Sequence, residues 1–312
     1  MLHVPDRFQH AGALVATAAL PKPLRVRARF ALLSTLQRTK ARRADVIFIV
    51  HPKAGGTWAR VMMFRVYQQK YGLPPRRVVK SDELHNQNPS LPRFLISNGH
   101  YTYEGALKAL YEDSSGTLED KKHILFARHP CDVAVSWYLQ FMKRTKEYKR
   151  ELINAALSDP IDDESLTMWD FVMHRSLGLP GLIDFLNDWR QRLSVMRDGL
   201  IVRYEDFREE PVGALQRVMS FIGEDADRQR IEEAIAFASF DNLRKLEQQN
   251  YFRNPGLRLR DPDDPDTFKV RRGKVLGYRD YFSPQQIECM DTMVRERLHP
   301  VFGYAEAPAA PA

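Results

Sequence analysis

Cysteine is nearly absent: Cys131 and Cys289 are the only two in 312 residues. That excludes a disulfide-stapled scaffold, and a lone pair in a chain of this size reads as two free thiols. No Cys/His cluster has the spacing of zinc ligands, so no metal is expected. No apolar run reaches the ~18–20 residues of a membrane span. The stretch 11–20 resembles the core of a signal peptide. However, acidic Asp6 and one firm cation, Arg7, precede it and no good cleavage site follows, so no cleaved signal is expected. The triphosphatase loop G-x-x-x-x-G-K-[ST] is also missing.

What is present suits a globular chain. Hydrophobic residues make up 44% and aromatics 11%, enough for a full core. Mean hydropathy is −0.45. The net charge of +7 and the pI near 9.3 suit polyanionic partners such as nucleic acid, anionic lipid or a phosphorylated ligand. Charge alone does not choose among them.

Residues 1–43 read as a basic, helical N-terminal appendage. Lys22, Arg25, Arg27, Arg29, Arg38, Lys40, Arg42 and Arg43 alternate with Leu24, Val26, Phe30, Leu32, Leu33 and Leu36. Such a helix suits an anionic membrane surface. Packing on the main domain with a solvated basic face is the plainer reading. The run 45–50 (DVIFIV) is a strand buried on both faces, followed by a loop and a helix carrying Trp58, Val61, Met62 and Val66. Residues 123–127 (HILFA) and 200–204 (LIVRY) repeat the pattern. Asp132 is expected to cap the helix after the second strand. A helix opens near Pro211 and stops near Gly223, and another runs over 282–298 with Ser283 as cap and Pro284 first. Alternation of this kind predicts an α/β fold with a central, mainly parallel sheet flanked by helices. One domain over 44–305 is expected, with a long loop over 251–275 and a disordered tail at 306–312.

The loop His51-Pro52-Lys53-Ala54-Gly55-Gly56-Thr57-Trp58 joins the first strand to its helix. Glycines let backbone approach a ligand, and the helix start presents free N–H groups to an anion. Lys53 adds a charge and Thr57 a hydroxyl. Taken alone, the loop reads equally as a glycine turn with a solvated lysine.

P-K-x-G-x-T-W after an apolar strand resembles the 5′-phosphosulfate loop of the cytosolic-type, PAPS-dependent sulfotransferases. Arg128-His129-Pro130-Cys131-Asp132-Val133-Ala134-Val135-Ser136 is similar to that family's R-x-P-x-D-V-x-V-S, and 270–278 (VRRGKVLGY) to its R-K-G-x-x-G-x-W. Tyr204-Glu205-Asp206 and Ser239-Phe240 are weaker matches. The resemblance covers about 40–305 and implies a P-loop-like sulfotransferase fold.

It also implies that PAPS is the donor and PAP the product, without a metal. Lys53, Ala54, Gly55, Gly56, Thr57 and Trp58 hold the 5′ end by that resemblance. Arg128, Ser136, Arg271, Arg272 and Gly273 hold the 3′-phosphate. Trp58 and Phe240 sandwich the adenine, with Tyr204 at its edge and Ser239 beside it. His100, within 96–101 (ISNGHY), stands at the family's base. Lys53 stabilises the leaving oxygen, and Ser136 holds Lys53 away until an acceptor arrives. Asn98 and Ala238 depart from the usual Lys and Thr. His51 and His129 are read as packing residues.

The acceptor expected is a small molecule, sugar or lipid with a hydroxyl or amine. Its pocket is expected from segments 71–95, 143–180 and 245–270, including Tyr71, Leu73, His85, Phe94, Met142, Tyr148, Trp169, Phe171, Tyr251 and Phe252. A cytoplasmic place is expected, and peripheral contact at the inner membrane face through the basic segment is the second reading of residues 1–43. Two rival readings fit the sequence less well. A kinase-like phosphotransferase needs an acid beside the phosphate loop to hold Mg²⁺, and none is there. A nucleic-acid binder needs a basic face with interleaved aromatics, and no nucleic-acid partner is expected.

Overall fold

The computed structural model describes residues 6–74, 83–98, 118–161, 165–252 and 273–304. Helices α1 (Asp6–Ala16) and α2 (Lys22–Arg43) lead into β1 (Val46–Val50) and α3 (Gly56–Tyr71). Then come α4 (Glu83–Gln87), β2 (Phe94–Ser97), β3 (Lys122–Ala127), α5 (Pro130–Arg144), α6 (Glu147–Ala155), α7 (Met168–Met173) and α8 (Leu179–Leu193). The chain continues through β4 (Asp198–Arg203), α9 (Tyr204–Glu209), α10 (Pro211–Ile222), α11 (Arg228–Phe237) and α12 (Phe240–Gln248). A 3-10 turn, Gly277–Asp280, precedes α13 (Pro284–Arg297), and a second, Pro300–Phe302, follows it.

The sheet is wholly parallel, in the order β2-β1-β3-β4. β1 reads VIFIV with every residue buried, because helices cover both faces and water meets neither. In register, Ile47 sits between Leu95 of β2 and His123 of β3. From β1 the chain crosses to β2 on one side, and from β3 to β4 on the other. The loops leaving β1 and β3 therefore diverge and open a crevice at their carboxyl ends, where open α/β sheets bind ligands.

Several expectations change here. β4 stops at Arg203, and Tyr204 begins a helix instead of ending the strand. β2 is a strand that the sequence reading did not separate from its loop. Asp132 is not a cap: α5 starts at Pro130 after His129, and the Asp132 carboxylate bonds elsewhere. The other two helix readings hold. Gly223 closes α10 in a left-handed conformation, and Ser283 forms a capping box with Gln286.

α1 folds back along α2. Arg29 Nε donates to Thr17 Oγ1 at 3.0 Å, and Leu33 packs with Ala13 and with Leu152 of α6. One face of α2 thus rests on the body of the molecule. No helix among the described residues is long and apolar enough to cross a membrane. Cys131 is buried, Cys289 exposed, and both are free thiols. The tail 306–312 lies outside the described residues.

Candidate active site

The loop after β1 is shaped by its backbone. Lys53 has φ +74° and Gly55 φ +100°, both in the left-handed region. A Cβ on Gly55 would lie 2.7 Å from the Tyr204 ring, and one on Gly56 2.7 Å from a Val50 methyl. Glycine is required at both places by close approach, and at Gly55 by dihedral angle as well. The Ala54 N–H closes the turn on the His51 carbonyl at 3.1 Å. The amides of Gly55, Gly56 and Thr57 meet no partner among the described residues. They form the free, positive start of α3, directed at the crevice. A strained lysine in such a turn is the kind of cost a ligand site retains.

The segment after β3 works through side chains. Arg128 Nη1 donates to the Lys53 carbonyl at 3.3 Å, and Nη2 to the Lys274 carbonyl at 3.1 Å. Its guanidinium lies 4.5 Å from the Tyr204 ring centroid, a cation–π contact. Arg128 therefore touches three separate stretches of chain. Asp132 accepts from Leu276 N–H at 2.9 Å and Tyr278 N–H at 3.0 Å, and lies 3.5 Å from Arg128. It ties the 273–278 loop to the start of α5 across 144 residues. Burial pushes the Asp132 carboxyl up, against the pull of Arg128 and the two amides. Ser136, one turn further, is buried.

Behind this lies a second layer. Glu205 accepts from His129 N–H at 3.1 Å and from Tyr304 Oη–H at 2.5 Å, and burial raises its pKa. The His129 ring stacks on Tyr278 at 5.5 Å and 8°. Burial, then Arg128 and Arg279, lower its pKa to about 3. His129 is neutral packing, as expected. His51 is likewise enclosed, edge-on to Trp137 and Phe185.

These elements border one cleft that is open to solvent. Lys53, Gly55, Gly56, Thr57 and Trp58 line it from the first loop, Arg128 and Ser136 from the second, and Tyr204, Phe240 and Gly273 from three others. Trp58 is fixed by its Nε1–H, which donates to the Ala238 carbonyl at 2.8 Å. The Tyr204 hydroxyl donates to the Gly273 carbonyl at 3.3 Å. Cations and free amides at one end, with aromatic faces alongside, fit an anion joined to a flat ring.

Two expected residues lie apart. The Ala54 methyl is buried beside His51, Pro130 and Phe185, and Ser239 is exposed at the start of α12 with no side-chain cap bond. His100, Arg271 and Arg272 lie outside the described residues. Of the aromatics expected around the acceptor, Phe252 lines the cleft. Phe94 and Phe171 are instead core residues, because each points from its element into the packed interior. Tyr148 packs under α2, and Tyr71 donates to Glu224.

The sequence reading missed several wall residues. Arg208 lies one helical turn after Tyr204, so i,i+4 spacing was a usable signal. Lys274 directly follows the matched R-R-G. Val61, Val135 and Leu243 form an apolar side with Glu247, whose carboxylate lies 3.9 Å from buried Arg144.

A family model described as a sulfotransferase domain matches residues 43–302. Cytosolic sulfotransferase 14 of Arabidopsis thaliana is 25% identical over 281 residues, covering 81% of this chain and 75% of its own. Flavonol 3-sulfotransferase of Flaveria bidentis is 24% identical over 288 residues, covering 84% of each. Among solved structures, mouse sulfotransferase SULT7A1 complexed with PAP superposes with a TM-score of 0.55 at 19% identity. That match covers 85% of this chain and 88% of that one. The match spans the sheet, the crevice and every cleft-lining residue described above, and the chain belongs to the sulfotransferase domain family.

Proposed function

We propose that the enzyme moves a sulfuryl group from PAPS to a hydroxyl or amine of a small-molecule, carbohydrate or lipid acceptor. One observation carries the reading: the Lys53 turn and the Arg128–Ser136 stretch border one cleft and are joined by the Arg128–Lys53 hydrogen bond. PAPS supplies the sulfuryl group and departs as PAP.

The residues divide the work by position. The amides of Gly55, Gly56 and Thr57 bind the 5′ end, and Lys53 offsets charge that grows on the leaving oxygen. Ala54 contributes its place in the turn. Arg128 and Ser136 take the 3′-phosphate, with Arg271, Arg272 and Gly273 closing over it. Arg128 offers a rigid fork of donors that suits phosphate. Trp58 and Phe240 stack on the adenine with Tyr204 at its edge, and Ser239 starts the helix that carries Phe240. His100 accepts the acceptor proton, and a histidine near neutral pKa suits that task.

For the acceptor, the apolar wall of Val61, Val135, Leu243 and Phe252 favours a molecule with a hydrophobic body. A relative named for a flavonol acceptor agrees with a small molecule. Relatives named cytosolic support a cytoplasmic enzyme, and residues 1–43 give it a peripheral contact at the inner membrane face.

A thermal-shift series tests the donor. Adenosine 3′,5′-bisphosphate raises the melting temperature more than ATP or AMP at equal concentration, because ligands that bind only the native state stabilise it. Equal or greater stabilisation by ATP would restore the phosphotransferase reading. Transfer from labelled PAPS across phenols, sugars, sterols and lipid-linked glycans then identifies the acceptor. His100→Ala lowers that transfer about 100-fold with the melting temperature unchanged.

A further inference from the structure

The charge of this chain is concentrated at one end. Residues 1–43 hold nine Lys and Arg against a single acid, Asp6, a net charge of +8. The whole chain carries +7, so the remaining 269 residues sum to −1. The excess lies on the α1–α2 hairpin, and that hairpin falls outside the 43–302 stretch matched by the family. α2 has no acidic residue in its 22 positions.

The hairpin has two unlike sides. Leu33, Ser34, Gln37 and Ala41 are buried against the body, and Arg29 lies 3.9 Å from Glu151 of α6. Away from that contact, large apolar side chains face water. Val15 is 76% exposed, Leu20 37%, Leu24 55% and Leu32 44%. They are four of the seven exposed large apolar side chains among the described residues, gathered within 18 positions. Leu20 and Leu24 sit at the turn between the helices, with Lys22 between them, exposed though 3.6 Å from Glu151 of α6, and exposed Arg27 one turn on.

One partner chemistry satisfies both features. A nucleic acid would neutralise the cations and leave Leu20 and Leu24 in water. An apolar protein groove would bury the leucines and leave the charge unmatched. An anionic bilayer surface takes the leucines into its acyl boundary and the cations among its phosphates. We propose that the α1–α2 hairpin docks the enzyme on an anionic membrane surface, with Leu20 and Leu24 as the inserting tip. Lys22 and Arg27 are its headgroup contacts. This rests on the peripheral contact proposed above and not on the sulfuryl-transfer chemistry.

The full chain is sedimented with vesicles of phosphatidylcholine alone and of phosphatidylcholine with phosphatidylglycerol. Binding to the anionic vesicles is about tenfold tighter or more, and it weakens as salt rises. The L20S/L24S double variant lowers it about tenfold and R27Q about fivefold, whereas V195S, an exposed apolar site elsewhere, does not. Unchanged thermal stabilisation by adenosine 3′,5′-bisphosphate shows that the variants are folded. Three results overturn the proposal: no vesicle binding, equal binding to neutral vesicles, or a solution dimer that L20S/L24S dissociates. Sulfuryl transfer to a soluble acceptor is measured alongside. A chain that binds vesicles but is not stabilised by adenosine 3′,5′-bisphosphate sinks the donor reading and leaves the docking surface standing.

Discussion

The starts of α3 and α5 border the same cleft, yet they are built in opposite ways. The α3 side is backbone: two glycines, a lysine at φ +74° and three amides without a partner among the described residues. The α5 side is a network of side chains, in which Arg128 and Asp132 bond to the 273–278 loop. The first construction is local and tolerates no added atom. The second depends on chain far away in sequence, so it can be loosened by degrees. The family resemblance is clear in both, but only the first explains itself from a short peptide.

Four substitutions test that contrast, from the largest effect to the smallest. Lys53→Ala removes the cation on the backbone-built side. Turnover falls about 100- to 1,000-fold while the melting curve stays in place, read from transfer of label and from calorimetry. If turnover survives, charge at this turn is not what the chemistry uses.

Gly55→Ala forces a Cβ to within 2.7 Å of Tyr204 at φ +100°. About 1–3 kcal/mol of stability is lost in urea unfolding, along with most affinity for adenosine 3′,5′-bisphosphate. Unaltered stability would mean the turn adapts, and the contrast between rigid and adjustable sides would fail.

Asp132→Asn keeps the shape of the latch but turns one of its two acceptors into a donor facing an amide. About 1–3 kcal/mol is lost. KM for PAPS rises roughly tenfold with a smaller change in kcat, because the residue positions the loop and does not touch the reacting atoms. Equal loss in kcat and kcat/KM would give Asp132 a direct role instead.

His129→Phe probes the same side through pH. The native ring has a pKa near 3 and the unfolded ring about 6.5. Between these values the unfolded chain binds a proton that the folded chain refuses. Stability is therefore full above pH 6.5 and falls as pH drops toward 3. Phenylalanine preserves the stack on Tyr278 and removes this site. Calorimetry from pH 7 to 4 records a shallower acid loss in the variant. Buried His123, with a pKa near 4, leaves a residual slope of the same sign.

Much of this molecule is legible in its sequence. Apolar runs marked β1 and β3 because strands buried on both faces leave no polar register. Pro211, Gly223 and Ser283 marked helix ends because caps are local chemistry. The Lys53 loop and the Arg128–Ser136 stretch stood out because each is a contiguous motif. Residues such as Phe94, Phe171 and Asp132 were misplaced because their partners are distant in sequence. An aromatic on a strand or helix can face core or cleft, and only packing selects which. A carboxylate in a first helical turn looks like a cap until a loop 144 residues away claims both of its oxygens.

The sequence by itself determined the alternation of strand and helix, the two contiguous motifs that follow β1 and β3, and the basic first 43 residues. Each depends on neighbours within a turn or two of chain. Tertiary structure decided the strand order that opens the crevice and the bonds that carry Arg128 to Lys53 and Lys274. It also decided which face of α2 is left with leucines in water. Those outcomes join residues that only the folded chain brings within hydrogen-bonding or van der Waals reach.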